Sequence, residues 1–421
     1  MILAAIGAAA SVAAADVPDR DDADPQSAAF LCPNPPVENL LRLMPKAPPL
    51  PSPTGRVVRV SDVNSLHTAA RQSPPGTTVL LADGLYPLAD PVVVRTNGIV
   101  IRGASGDRGK VILDRGGQGQ SVITVAGADD VTIADLTVRN CSGMGIEVKG
   151  ELHTQRTRIY NVVLHNIWTR GVKGMKPGGT GAQGEAPEAD FERNRLRDGE
   201  IRYCLFVNDK RKDVTDWADG DYIGGIDMMG LSRWTIADNV FVGIRGRHGI
   251  GRGAIFVWVW SEDVVVERNL IVNCDRGICF GNPSGDACHM TRGIIRNNFI
   301  VAGVNSAIEV VRTRDTLVAH NTVWGCRPEY PYTVHVFQGA AGVRCINNLV
   351  HGQVRLAPET EVRHNLTGAC DGYCVDPANG DLHLAPRAAD ALGKGLFLRD
   401  VPADFDGQPR KAVPDIGADE D

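Results

Sequence analysis

Basic and acidic side chains are frequent in the middle of this chain. They include Lys, Asp, Arg and His, which can carry out acid–base chemistry on a charged substrate. Lys173 and Asp227 sit in two similar apolar stretches, and Arg247 and His248 lie in a Gly-rich loop after the second one. A base can remove the proton next to a carboxylate when a cation neutralises that carboxylate. The pattern predicts β-elimination on an acidic polymer, with Lys173, Asp227, Arg247 and His248 as catalytic residues.

Further side chains are predicted to bind the substrate around these four. Trp258 and Trp260 could stack on sugar rings while their indole N–H groups donate hydrogen bonds. Alternatively, the neighbouring loops cover both rings as a small second core. The predicted binding residues are Glu147, Lys149, Arg245, Arg252, Trp258, Trp260, Glu309, Arg312 and His335.

Three aspartates close to the catalytic set could hold a hard cation. Ca²⁺ prefers several oxygen ligands, and Asp219, Asp221 and Asp227 could supply them. Alternatively, the charges form a surface ladder in which flanking carboxylates keep Lys173 protonated. A hydrolase would need two carboxylates roughly 5 to 9.5 Å apart. Asp227 with Asp219 or Asp221 could meet that spacing, whereas Glu309 lies three repeats beyond Asp227, roughly 14 Å away.

A repeat must position these side chains, and its mark is an Asn followed by an apolar triplet or a similar short run. The repeated Asn residues are Asn239, Asn269, Asn298, Asn321, Asn348 and Asn365. Their intervals are typical of solenoids. A second unit begins with a small residue, after which inward apolar residues alternate with outward ones, as in Gly145-Ile146-Glu147-Val148. This alternation indicates strands with one buried face. Stacked short strands predict a parallel β-helix, with the Asn side chains hydrogen-bonding along the turns.

Aligning the repeats predicts which side chains share the outer face. One row holds Glu147, Lys173, Asp227, Phe256, Cys279, Glu309 and His335, roughly 4.8 Å apart. The next row holds Lys149, Met229, Trp258, Gly281, Val311 and Phe337. Insertions at Met175 to Asp198, Asn208 to Tyr222 and Gly243 to Gly253 would form walls around this predicted groove.

These coils resemble the right-handed parallel β-helix, or pectin-lyase-like, superfamily. The segment from Leu66 to Ile112 is similar to its N-terminal cap and first coil, and Asp415-Ile416-Gly417 is similar to its closing module. The resemblance implies an all-β, right-handed parallel β-helix solenoid with an N-terminal cap and an irregular C-terminal cap. It also implies polysaccharide binding along the outer groove. Arg247-His248-Gly249 is similar to a strand of chondroitinase-B-like alginate lyases, but here it lies in a loop and the expected Lys near Asp227 is missing.

The rest of the chain suggests export. We predict a signal peptide at 1–15, an acidic and Pro-rich linker at 16–54, the β-helix at 55–370 and a C-terminal capping segment at 371–421. No membrane span is expected, and a formal charge of −6 gives no general attraction to nucleic acid. Cys370 and Cys374 are predicted to form a disulfide, whereas Cys141, Cys274 and Cys326 share one turn position and are predicted to be buried and free.

The sequence thus predicts a secreted, monomeric protein, extracellular or periplasmic, that acts on or binds polysaccharide. A lyase for a uronate-containing polymer, with or without Ca²⁺, is the leading hypothesis. A polygalacturonase-like hydrolase and a noncatalytic glycan-binding surface protein are the alternatives.

Overall fold

The strands of successive coils pair in parallel and build a solenoid with three long sides. The computed structural model describes residues 34–177, 188–212, 216, 218–283, 288–325 and 332–421. Each coil passes through a strand of sheet 1, sheet 2 and sheet 3 in turn. Inward side chains of all three sheets meet in one aliphatic core. The predicted all-β parallel β-helix is therefore confirmed.

Sheets 1 and 2 form one continuous 21-stranded sheet because the long strands Thr132–Cys141 and Arg158–Ile167 belong to both. The other sheet 1 strands are Val57–Val60, Thr78–Leu81, Val100–Gly103, Glu200–Arg202, Thr235–Ala237, Val265–Glu267, Ile294–Arg296, Leu317–Ala319, Arg344–Ile346 and Glu361–Arg363. The other sheet 2 strands are Gly84–Pro87, Val111–Asp114, Leu205–Val207, Val240–Val242, Leu270–Val272, Phe299–Ala302, Thr322–Gly325, Leu349–His351 and Leu366–Gly368.

Sheet 3 carries the predicted site. Its strands are Val92–Val94, Ser121–Ala126, Met144–Lys149, Arg170–Gly174, Gly224–Met229, Ile255–Trp258, Ile278–Phe280, Ile308–Val310, Val334–Val336 and Val354–Arg355. A small fourth sheet holds Leu196–Arg197, Leu231–Ser232, Ser261–Glu262, Met290–Thr291 and Thr313–Arg314, and the tail adds the antiparallel pair Cys374–Asp376 and Asp381–Leu384. The helices are Val37–Arg42, Val63–Gln72 and Glu188–Asn194, with 3₁₀ turns at Gly150–Leu152 and Pro377–Asn379.

The helix Val63–Gln72 closes the core at the first coil. Asp62 caps it, because its side chain accepts the backbone N–H of Ser65 at 2.9 Å. Leu66 and Ala70 are buried on its inner side, within the main core. This arrangement fits the predicted N-terminal cap.

Six asparagines stack in the turn between sheets 1 and 2, as the repeat predicts, and all but the last are buried. Each of the first five side-chain amides donates to the side-chain oxygen of the Asn on the next coil, at 2.8 to 3.0 Å. That oxygen also accepts the backbone N–H of the Asn on the preceding coil. We call this stack the Asn ladder; it comprises Asn239, Asn269, Asn298, Asn321, Asn348 and Asn365. It satisfies turn groups that have no other partner inside the solenoid.

A second ladder is charged and lies at the turn before sheet 1. Its members are Asp130, Arg156, Asp198, Arg233, Asp263, Arg292 and Asp315, all in the left-handed conformation with φ between 52° and 59°. Arg156, Arg233 and Arg292 donate to the Asp of the preceding coil at 2.6 to 2.7 Å. We call it the charge ladder. Bidentate pairing offsets part of the cost, about 1 kcal/mol or more per residue, of this backbone conformation.

The described part of the predicted linker, residues 34–54, runs along the outside of the solenoid. Apolar side chains of the helix Val37–Arg42 and of Met44 pack on the outer face of sheet 2, with Leu40 fully buried. Further along, the Tyr160 hydroxyl donates to the carbonyl of Pro48 at 2.8 Å. The predicted signal peptide lies outside the described residues. None of the described helices is long and apolar enough to cross a membrane.

The C-terminal segment runs back over sheet 2 instead of only closing the last coil. Phe405 stacks on Phe299 with 3.8 Å between ring centroids, and the buried Arg410 donates to Asn297. His383 bridges the tail, with Nδ1 at 2.5 Å from Asp381 and Nε2 at 3.1 Å from Asp406. Burial opposes the charged ring, yet the two carboxylates raise the pKa of His383 to about 10.

The predicted Cys370–Cys374 disulfide is wrong, since all eight described cysteines are free. The Cys370 thiol points at the carbonyl of Val350, whereas Cys374 belongs to a strand paired with the tail. Cys141 and Cys274 are buried and free, as predicted, and burial raises the pKa of the Cys274 thiol to about 12. Cys326 lies outside the described residues.

Asn298→Ala should lower the free energy of unfolding by about 2–4 kcal/mol. The substitution leaves the buried N–H of Asn269 and the carbonyl of Val266 without their side-chain partner, at about 1–3 kcal/mol each. Urea denaturation measures the change. Asn365→Ala is the control, because Asn365 is only half-buried at the end of the ladder, and its loss should be clearly smaller. Equal losses would contradict the ladder's role.

His383→Gln should destabilise the protein most below pH 6.5. The imidazolium pairs contribute fully below the unfolded-state pKa of about 6.5, and the contribution fades as the pH rises through the folded value of about 10. Urea midpoints of wild type and variant should therefore converge towards that pH. The control is His364→Gln, whose ring contacts the carbonyl of Lys394 instead of a carboxylate. A difference that did not vary with pH would contradict this account.

Candidate functional site

Strand register confirms the predicted outer row on sheet 3. Glu147, Lys173 and Asp227 stand opposite one another on successive strands, and the pairing continues through Phe256, Cys279, Glu309 and His335. The row also includes Thr124 at one end and Arg355 at the other. It is not an open groove over most of its length, because Lys173 is 4% exposed, Asp227 2% and Glu309 4%.

Asp227 is the centre of a buried charge network. One carboxylate oxygen accepts Arg170 Nε at 2.7 Å and Lys173 Nζ at 2.8 Å, and the other accepts the indole N–H of Trp258 at 3.1 Å. Burial alone would raise the pKa of Asp227, but the two cations hold it well below its usual range. Asp227 is therefore a permanent anion. The contacts support the alternative interpretation in which Lys173 belongs to a ladder of paired charges.

His248 forms a second polar group with Asp221. His248 Nδ1 lies 2.8 Å from Asp221 Oδ2, and Asp221 Oδ1 accepts the backbone N–H of His248 at 3.0 Å. An ionised carboxylate can only accept, so Nδ1 is the donor of this hydrogen bond and Nε2 is the nitrogen left to face a ligand. The His248 side chain is 36% exposed and that of Asp221 is 5% exposed. We call these two residues the His248–Asp221 pair.

Neighbours of His248 add charge at the same edge. Arg247 Nη1 lies 3.1 Å from Asp219 Oδ1, and His248 Nε2 lies 3.8 Å from Asp219 Oδ2. Both partners of the Arg247–Asp219 ion pair are exposed, so it contributes little stability. Tyr222, the residue after Asp221, connects the His248–Asp221 pair to the buried network around Asp227, since the Arg170 guanidinium lies 3.9 Å above the Tyr222 ring.

Asp275 holds the loop that carries His248. Its Oδ2 accepts the backbone N–H groups of Gly246 at 2.7 Å and Gly251 at 2.9 Å. Burial raises the pKa of Asp275 to about 6. A Cβ on Gly246 would come within 2.2 Å of Asp221 Oδ1, so the loop needs glycine here to bring its backbone against the aspartate.

Glu309 gathers two arginines further along the row. Arg252 Nη1 lies 3.1 Å from one Glu309 oxygen and Arg276 Nε lies 2.8 Å from the other. Burial opposes the charge, but Arg276 and Arg252 hold the pKa of Glu309 below its usual range. The Arg252 guanidinium also lies over the Phe256 ring at 4.7 Å.

Trp258 belongs to the small second core, as the alternative interpretation of the two Trp residues predicts. It is 7% exposed and stacks on Phe256 at 5.1 Å. Trp260 packs at 5.0 Å against Phe191 of the helix Glu188–Asn194, which lies in the first insertion. Sugar stacking on Trp258 does not fit this structure, because its side chain is buried in one cluster with Met229 and with Phe191 of that helix.

The remaining predicted residues lie apart from the two polar groups. Lys149 Nζ is 2.5 Å from Glu147, forming a separate pair at the start of the row. Arg245 lies near Asp275, and Arg312 Nε donates to the carbonyl of Pro283 at 3.4 Å. His335 stands next to Arg355, the last residue of the row.

The predicted Ca²⁺ ligands do not form a cation site. Asp227 is occupied by three donors, Asp221 by His248, and Asp219 by Arg247. Within the described ranges, one His/Cys/Asp/Glu cluster has its ligand atoms within 4.8 Å of one another, namely His383, Asp406 and Asp419. Both His383 nitrogens already bond carboxylates, so this cluster is the ion-paired anchor of the tail.

Sequence reasoning missed three residues of the site: Arg170, Arg276 and Asp275. Arg170 and Arg276 share a signal that could have found them, since each directly precedes the small residue that starts a sheet 3 repeat, Gly171 and Gly277. Asp275 directly precedes Arg276 but has no counterpart in the other repeats. Its partners are backbone groups of a loop, which a sequence pattern does not fix.

The sequence matches the family described as "Right handed beta helix region" over residues 121–350. This match covers more than half of the chain, so the protein belongs to the right-handed β-helix family. A comparison with curated protein sequences finds no match.

Two solved structures show how far the likeness extends. The alginate lyase from Paenibacillus sp. str. FPU-7 is 16% identical, with 75% of this chain and 99% of that chain covered and a TM-score of 0.52. The pectate lyase Pel9A is 14% identical, with 87% and 96% covered and a TM-score of 0.60. At these identities the likeness concerns the fold.

Asp227→Ala should lower the free energy of unfolding by about 3–5 kcal/mol, because it leaves Arg170 and Lys173 buried without their counterion. Chemical denaturation measures the change. Asp219→Ala is the matched control, since its exposed ion pair with Arg247 should contribute less than about 1 kcal/mol. Similar stabilities for the two variants would rule out the buried network as a structural element.

Proposed function

We propose that the protein cleaves an acidic, uronate-containing polysaccharide by β-elimination, with His248 as the base. The His248–Asp221 pair carries this proposal. In the proposed reaction the neutral, partly exposed ring uses Nε2 as the base, while the nearly buried carboxylate of Asp221 holds Nδ1 and stabilises the imidazolium that forms. The fold shared with an alginate lyase and a pectate lyase supports a polysaccharide as the substrate.

The proposed step balances without an oxidant or reductant. His248 Nε2 takes the proton from the sugar carbon next to the carboxylate. The electron pair of that C–H bond forms a C=C bond, and the bond from the adjacent carbon to the glycosidic oxygen breaks. The imidazolium then returns its proton to the departing oxygen. The products are an unsaturated uronate end and a shortened chain.

Arg247 is proposed to neutralise the substrate carboxylate. Elimination needs this, because the proton becomes acidic only when the charge of the carboxylate is compensated. Arg247 adjoins His248 in the chain, and its side chain is 41% exposed. A sugar carboxylate can replace Asp219 as its partner, since the existing ion pair is solvated and weak.

Lys173 and Asp227 are proposed to be positioning residues. Asp227 holds Arg170, and the Arg170 guanidinium lies over Tyr222, the neighbour of Asp221. The network therefore supports the segment on which the His248–Asp221 pair depends. Asp227 is an unsuitable acid for a hydrolase, because its pKa is held far below neutrality.

A noncatalytic glycan-binding protein is the second candidate. The observation that favours it is the burial of the outer row, which leaves Lys173 and Glu309 out of reach of a polymer. Such a protein would bind uronans without producing unsaturated ends.

The test is incubation of the protein with polygalacturonate, polymannuronate, polyguluronate and chondroitin, followed by ultraviolet absorbance of the unsaturated product. His248→Ala should lower kcat on the active substrate by about 10²- to 10⁴-fold. His165→Ala is the matched control, because His165 also pairs with an aspartate, Asp209, at 2.8 Å but lies on sheet 2. It should leave kcat unchanged.

Two results would contradict the proposal. If no uronan yields product while binding is measurable, the noncatalytic candidate replaces the lyase. If His248→Ala keeps its activity while a folded Lys173→Ala loses it, the base is Lys173 and the buried row must open during turnover.

A further inference from the structure

Half-exposed aromatic rings gather at the far end of the outer row. The His335 ring stacks on Phe337 with 3.6 Å between centroids, and Tyr332 lies 5.2 Å from His335. The exposed Arg355 holds its guanidinium 5.1 Å from the Tyr332 ring centroid. We call Tyr332, His335, Phe337 and Arg355 the distal cluster.

The distal cluster differs from the buried part of the same face. Trp258 and Phe256 lie under the first insertion, whereas His335 and Phe337 keep part of their surface in solvent. Burial and Arg355 lower the pKa of His335 to about 4, although Glu309 opposes the shift, so the ring is neutral above that pH. A neutral imidazole stacked on a phenyl ring offers a flat apolar surface of the kind that sugar rings contact.

Charged side chains lie next to this surface. Arg252 and Arg276 share the carboxylate of Glu309, which stands opposite His335 on the neighbouring strand. Arg355, on the next strand, makes no ion pair within the parts of the chain that the structure describes. An exposed guanidinium next to aromatic rings suits a ligand that is both a sugar and an anion.

We infer that the distal cluster is a binding subsite for one uronate unit of an acidic polysaccharide. The sugar ring lies on His335 and Phe337, and Arg355 pairs with its carboxylate. The inference deepens the proposed function and rests on it for the choice of polymer.

The spacing gives the subsite a role. His335 stands three strands beyond Phe256, roughly 14 Å along the sheet, and one strand beyond Glu309, which the His248 loop reaches through Arg252. A ligand that occupies both regions must therefore extend across more than one coil. The distal cluster should therefore favour long chains over short ones without touching the bond that breaks.

Binding can be measured without catalysis by placing all variants in a His248→Ala background. Calorimetry would use oligogalacturonate and oligomannuronate of several chain lengths as acidic probes and cello-oligosaccharide as the neutral probe. Arg355→Ala should weaken binding of the long acidic probes at least about fivefold, and added salt should reduce that difference. Phe337→Ala should weaken binding of any probe that the parent binds. Arg363→Ala, which removes an exposed arginine from sheet 1, should change nothing.

Unchanged affinity in both Arg355→Ala and Phe337→Ala, or no binding of any acidic probe by the parent, would overturn the subsite. Arg355 is exposed, so its variant tests the inference even if Phe337→Ala fails to fold. The lyase proposal would fail in a different way. In that case binding would still depend on Arg355, but the wild-type protein would form no unsaturated product. With His248 intact, Arg355→Ala should raise KM for long chains and leave kcat unchanged.

Discussion

The Asn ladder is the interaction on which the register of the solenoid from Asn239 onwards depends. An inner rung such as Asn298 joins three consecutive coils, because its amide donates forward to Asn321 and its oxygen accepts from Asn269 on the coil behind. A coil that slipped by one residue would lose these bonds and expose its apolar face at the same time. The ladder therefore fixes the phase of the coils from Asn239 to Asn365. With the phase fixed, residues far apart in sequence, such as Glu309 and His335, meet on neighbouring strands.

Fixed register also makes the buried charges tolerable. Asp227 and Glu309 lie almost fully inside, where an unpaired charge costs several kcal/mol. Each has two cations at 2.7 to 3.1 Å, which only an accurately stacked scaffold can supply. The insertions then cover this layer and leave two parts of the face partly open. One is the loop edge with His248, and the other is the end of the row at His335.

Much of the fold could be predicted from the sequence, because it depends on local periodicity. The members of the outer row follow from the two-residue alternation within strands and the spacing of the Asn repeats. The burial of that row could not be predicted, since it depends on how an insertion with its own helix packs over Trp260. The pairing of His248 with Asp221 could not be predicted either, for a similar reason. Asp221 belongs to a different insertion, and the relative placement of two loops has no period. The path of the tail was equally unpredictable, and with it the free thiols of Cys370 and Cys374.

The charge ladder restricts how this solenoid can change in length. Repeat proteins grow and shrink by the gain or loss of whole coils. Here, however, Asp and Arg alternate from Asp130 to Asp315, so copying one coil would set two residues of like charge against each other at the turn. Copying two adjacent coils keeps every Arg beside an Asp. The unit of duplication that this turn accepts is a pair of coils.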